Sequence, residues 1–97
     1  MKYIISDKAI EDLEHIWLYT YNNWSKKQAD NYYDLIINEI EKIATNSSIY
    51  KSVDYISKGY QVAKVKSHII FFKKQNQIVR IVRILHERMD LPSRIND

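Results

Sequence analysis

Five side chains in the second half of the chain suit phosphate chemistry: Lys64, Lys66, Arg80, Arg83 and His86. An arginine fork stabilises charge on a phosphate, and an imidazole that titrates near neutrality serves as acid or base. A ribonuclease would need such a set to converge on one point. A histidine that ends a strand more often closes the structure than performs chemistry, so no residue is assigned as catalytic. Other chemistries fall away. The chain has no cysteine, which excludes thiolate nucleophiles, disulfides and thiolate zinc sites. With one glycine there is no glycine-rich phosphate loop. Glu11 and His15 stand one helical turn apart with no third ligand in view, and His86-Glu87 lacks the second histidine of a zinc-protease pair. Neither a metal nor a cofactor is expected.

Charge is distributed unevenly. Residues 1–57 carry six lysines and no arginine against nine acids, a net −3, whereas residues 58–97 carry five lysines and four arginines against three acids, a net +6. All four arginines fall in the last eighteen residues. A basic half of this kind is either a solvated face or a docking surface for an acidic segment or nucleic acid.

These residues must be positioned by a small fold. Ninety-seven residues make one domain, 1–97, which hides only about 60–65% of the surface its unfolded chain exposes. Tyr3-Ile4-Ile5 reads as a first strand, and Ser6 as the cap of a helix running to about Asn22. Ile10, Leu13, Trp17, Tyr21 and Trp24 recur at spacings of three and four, the stripe of a half-buried helix. Ser25-Lys26-Lys27-Gln28 matches a capping box and opens a second helix, striped by Ala29, Tyr33, Ile36, Ile40, Ile43 and Ala44. The two-residue link makes the pair an antiparallel hairpin. Residues 46–58 read as a packed connection without regular structure. After Gly59 the period becomes alternating, and Tyr60 to Val65, His68 to Lys74 and Ile78 to Leu85 read as an antiparallel meander.

Alternation puts Ile78, Val82 and Ile84 on one face of the final strand with Arg80 and His86, and Val79, Ile81 and Leu85 on the other with Arg83. Both faces are largely apolar, and one helical hairpin covers one face. The other is expected to be buried by a partner, since the segment Leu91 to Ile95 is short. Neither a leader-like apolar stretch nor a membrane-spanning run is present, and the chain reads as cytoplasmic.

Along this order the residues resemble the ParE branch of the RelE/ParE toxin superfamily of bacterial toxin–antitoxin systems. The likeness is carried by Ala9, Asp12-Leu13 and Ile16-Trp17, by Trp24 at the hairpin turn, by Gln28-Ala29 and Gly59-Tyr60, by Ser67-His68-Ile69-Ile70-Phe71-Phe72, and by Val82-Arg83-Ile84-Leu85-His86 followed by Arg88-Met89-Asp90. It implies an α+β fold of order β-α-α-β-β-β, the hairpin packed on a mostly antiparallel four-stranded sheet and followed by a short tail or helix. It implies a type II toxin that inhibits growth by binding and poisoning DNA gyrase. Its partner would be a ParD-like antitoxin with an acidic or amphipathic C-terminal tail, in a heterotetramer or larger complex, with promoter DNA touched only through the antitoxin. Joined to the charge split, the likeness places target binding on Trp24, Arg83, His86, Arg88, Met89 and Asp90. Antitoxin binding falls on Leu13, Trp17, Tyr60, Phe72, Arg80 and Arg83. Where relatives often have Trp-Gly, Gly-Tyr-Arg and Gly-Ser-His, this chain has Trp24-Ser25, Gly59-Tyr60-Gln61 and Lys66-Ser67-His68. The RelE branch shares the fold but cleaves messenger RNA on the ribosome, and under that alternative the five residues named first would be the working set. A non-toxic binding module of the same fold is the third reading.

Overall fold

The computed structural model describes residues 2–89 together with Leu91 and Arg94. Strand β1 (Lys2–Ile5) leads directly into helix α1 (Asp7–Asn23), and Ser6 makes the corner. Its hydroxyl oxygen accepts from the Ala9 amide at 3.1 Å, and its hydroxyl donates to the Val82 carbonyl at 2.8 Å. One side chain thus caps the helix and ties it to the sheet. Helix α2 (Lys26–Thr45) begins the same way, with Ser25 accepting from the Gln28 amide at 3.1 Å.

A 3-10 turn at Ser47–Ile49 and a two-residue strand β2 (Lys51–Ser52) precede the meander β3 (Gln61–Val65), β4 (His68–Gln75) and β5 (Ile78–His86). The strand order is β1-β5-β4-β3-β2, with β1 parallel to β5 and the other neighbours antiparallel. The sheet therefore has five strands where four were expected. The extra one lies in the segment read as irregular, and two residues are too few to show an alternating pattern.

Asn76 and Gln77, at φ of 53° and 65°, form the tight turn between β4 and β5, with the left-handed conformation at both central positions that matches strand twist. Pairing runs in step to Phe72 opposite Ile81, and the next pair is Phe71 with Arg83. Val82 is thus an extra residue, a β-bulge. The bulge corrects the facing expected from strict alternation: Val79, Ile81 and Ile84 all lie in the core beneath the helices, while Leu85 belongs to a second cluster.

In the main core Ala9 and Leu13 of α1 and Ile36, Ile40 and Ile43 of α2 meet Ile70 and Phe72. The second cluster, on Phe71 and Leu85, is closed by Val53, with Ile56, Tyr60 and Leu91 packed against it. Residues 51–60 form a strap over that face. The Val53 amide donates to the Tyr60 carbonyl at 2.9 Å, the Gly59 amide to Asp54 Oδ1 at 2.8 Å, and Gly59 takes the turn at φ 84°. This overturns the expectation that a partner must bury the second face, since Val53, Phe71 and Leu85 are each at most 2% exposed within the chain. Of the segment 91–95, Leu91 contributes to the cover; positions 92, 93 and 95 lie outside the described residues. Among the described residues no helix is long and apolar enough to cross a membrane.

Candidate functional site

The end of the molecule where the helical hairpin turns also holds the β3–β4 turn and the end of β5. Between them lies a cavity of about 520 Å³, walled by Tyr19, Trp24, Tyr32 and Leu35 from the helices and by Lys66, Ser67, His68 and His86 from the sheet. Its histidines meet because of the bulge. A hairpin paired in step from Gln75 opposite Ile78 would set His68 against Leu85; the extra residue at Val82 sets it against His86. Their rings stand edge to face with centroids 5.3 Å apart.

Second partners fix both rings. The Tyr32 hydroxyl lies 2.6 Å from His68 Nδ1 and 3.2 Å from the Val65 carbonyl. The hydroxyl has one proton: where it goes to the Val65 carbonyl, Nδ1–H donates to the phenol oxygen, and where it goes to Nδ1, the neutral ring carries its proton on Nε2. On protonation, Nδ1–H donates to the phenol oxygen and the hydroxyl turns to Val65. Burial, and after it the positive charge of His86, hold the His68 pKa below its ordinary value, against weaker opposing pulls from Asp12 and Glu87. Burial also pushes the Tyr32 hydroxyl above the usual phenol range. His86 Nδ1 accepts from the Arg88 amide at 3.1 Å, which leaves its proton on Nε2 in the neutral ring. Lys66 adds a cation at the mouth, in the left-handed conformation at φ 51°. That geometry is natural for glycine and costs a lysine about 1 kcal/mol.

Of the residues expected at a target surface, Trp24 and His86 line this cavity together. Arg88 and Met89 are exposed just beyond it, and Asp90 lies outside the described residues. Arg83 points elsewhere. Its Nε and Nη2 donate to the two oxygens of Asp12 at 2.8 and 3.0 Å, and Nη1 donates to the Arg94 carbonyl at 3.2 Å. Asp12 Oδ2 also accepts from the Ile84 amide at 2.9 Å. That amide lies past the point where β1 ends, so the carboxylate satisfies a sheet edge that no strand reaches.

The residues expected to bind an antitoxin do not form one surface. Leu13 and Phe72, 3% and 0% exposed, lie in the core between helices and sheet. Trp17 is half-buried on the helical layer, stacked on Tyr21 with centroids 5.2 Å apart and donating from Nε1 to Asp30 Oδ1 at 2.9 Å. The Lys26 ammonium pairs with the same carboxylate and, with Trp17, lowers its pKa. Tyr60 lies on the opposite side of the sheet, beneath the Lys73 ammonium at 5.5 Å. Arg80, between the inward Val79 and Ile81, is exposed on that side too.

The five residues considered for phosphate chemistry do not converge either. Lys66 and His86 reach the cavity, whereas Lys64 is paired with Glu87 at 3.1 Å and Arg83 with Asp12. Residue-type reasoning passed over Tyr32 and His68. No sequence signal marked His68, because in-step pairing of its hairpin sets it against Leu85. Among the described residues no group of three or more His, Cys, Asp or Glu side chains is placed to hold a metal ion.

Comparison with known proteins gives a consistent result. Residues 3–91 match the family model described as ParE toxin of type II toxin-antitoxin system, parDE. The chain is 34% identical over 91 residues to toxin ParE1 of Mycobacterium tuberculosis, covering 93% of each chain. It is 31% identical over 88 residues to toxin ParE1 of Caulobacter vibrioides, covering 91% of each, and 29% identical over 96 residues to toxin ParE of Escherichia coli. Among solved structures it resembles one described as a chromosomal ParDE TA system from P. aeruginosa, with a TM-score of 0.79 at 15% identity over 89% of this chain and 95% of that one. At that identity the likeness concerns the fold.

Proposed function

Since the chain belongs to the ParE toxin family of type II toxin–antitoxin systems, we propose that it inhibits growth by binding and poisoning DNA gyrase and is silenced by a ParD-like antitoxin. The observation that carries this reading is the family match across residues 3–91, nearly the whole chain. The proposed target surface is the end of the molecule that presents Trp24, His86, Arg88 and Met89. Trp24, 63% exposed at the hairpin turn, is the kind of large aromatic that anchors an interface. The antitoxin supplies an acidic or amphipathic tail that crosses Trp17 on the helical layer or Tyr60 and Arg80 on the far side of the sheet. The complex is a heterotetramer or larger, and promoter DNA is reached only through the antitoxin.

Supercoiling by purified gyrase, with and without this chain, tests the reading. Inhibition with accumulation of cleaved DNA is expected, and Trp24→Ala, which leaves the core untouched, should weaken it about tenfold or more. Undiminished supercoiling at excess protein overturns the proposal. The Tyr32–His68–His86 cluster favours a second reading, a RelE-like ribonuclease with His68 or His86 as acid or base. On induction that reading predicts prompt translation arrest with cut messages, where gyrase poisoning predicts elongated cells and a DNA-damage response.

A further inference from the structure

The cavity wall sets imidazoles and an ammonium on the sheet side opposite the hydroxyl and carboxamides of Thr20, Gln28 and Asn31 on the helices. The His86 ring accepts the Arg88 amide on Nδ1 and so offers an Nε2–H donor, and His68 offers one whenever the Tyr32 hydroxyl donates to its Nδ1 or the ring is protonated. No buried side-chain nitrogen or oxygen among the described residues lacks a partner. The two Nε2 atoms are therefore solvent-accessible, on rings that line the cavity. Lys66 adds an ammonium and Ser67 a hydroxyl, and among the described residues the lining contains no aspartate or glutamate. On the sheet side, a cation and two imidazoles with no carboxylate among the described lining residues favour an oxyanion.

Three aromatic side chains also line the cavity, Tyr19, Trp24 and Tyr32. Trp24 and Tyr19, 63% and 61% exposed, meet edge to face with centroids 6.0 Å apart. Tyr32 and Leu35 line the same cavity. The volume falls within the range of small-ligand pockets. We propose that this cavity binds a small aromatic oxyanion, its planar ring against Trp24 and Tyr19 and its phosphate or carboxylate held by His68 Nε2–H, His86 Nε2–H and Lys66. A nucleoside monophosphate and an aromatic carboxylate share that chemistry.

The test is a titration of the intact chain, ¹⁵N-labelled in its histidine rings, with adenosine monophosphate in one arm and indole-3-acetate in the other. A saturable shift of the His68 and His86 Nε2 signals is expected in at least one arm, with a Kd at or below about 1 mM, and the responding arm identifies the source. Adenosine and inorganic phosphate alone should each bind at least about tenfold more weakly, because each supplies half of the contacts. Trp24→Ala removes the stacking face, and Lys66→Gly removes the cation while suiting the left-handed backbone; each should weaken binding about tenfold. Ile49→Ala, at an exposed position outside the cavity lining, should leave it unchanged. No saturable shift in either arm, or binding equal in wild type and both cavity variants, overturns the proposal. Neither result depends on whether gyrase is inhibited.

Discussion

Asp12 takes three donors, two from Arg83 and one from the Ile84 amide, at a position 9% exposed. Removing the carboxylate strands both a guanidinium and a sheet amide. Asp12→Ala should therefore destabilise the fold by about 3 kcal/mol or more, read as a lower urea midpoint at unchanged slope. The double change Asp12→Leu with Arg83→Met should recover much of that loss, because it leaves no uncompensated charge. Replacing Arg83 alone should act on stability with little salt dependence, as expected of a partly buried pair rather than a surface contact. At this scale the site was half legible. Lys66 and His86 stand out by type, and Trp24 by its place in the turn. His68 does not, because its pairing with His86 rests on the bulge at Val82. Nothing in Ile78-Val79-Arg80-Ile81-Val82-Arg83-Ile84, an unbroken β-forming run, marks where the ladder slips.

Among the elements, the helices were legible because periodicity and caps agree. Ser6 and Ser25 each bond the amide three residues on, and Leu13 from the first stripe with Ile36, Ile40 and Ile43 from the second reach the core, whereas Ile10, Tyr21, Trp24 and Tyr33 are exposed. The strap was not. Val53, Ile56 and Tyr60 are single apolar anchors among polar residues, and the turn that spaces them, with the Ile56 and Ser57 amides donating to the Val53 carbonyl at 2.8 and 3.1 Å, is too short to declare a period. Its packing is nevertheless what makes the outer face of the sheet self-sufficient. Val53→Ala should cost about 2 kcal/mol and raise the binding of a hydrophobic dye, with helix content by circular dichroism retained. Unchanged stability would mean that the strap contributes nothing to the second core.

For the molecule as a whole, the titration of His68 links folding to pH. Its folded pKa lies below the ordinary 6.5, through burial first and the neighbouring His86 charge second. The unfolded chain therefore binds the proton more readily, so stability is full above about pH 6.5 and is lost as the pH falls from there through the depressed value. Tm should drop between about pH 7.5 and 5.5, and His68→Gln should flatten that part of the curve. Identical profiles for the two proteins would assign the dependence to other groups.

Strand β5 is flanked by β1 on one side and β4 on the other, and β1 has no other neighbour in the sheet. During synthesis, a nascent chain that has delivered everything through residue 77 holds β1 with no strand to join. Its helical hairpin also lacks the Val79, Ile81 and Ile84 side chains that complete its seat. Cooperative folding must wait for nine more residues, Ile78–His86, because the contacts that close the sheet span nearly the whole length of the polypeptide. A ribosome stalled before that point would carry a chain that lacks both His86 on the cavity wall and the Arg83 and Ile84 donors that clasp Asp12.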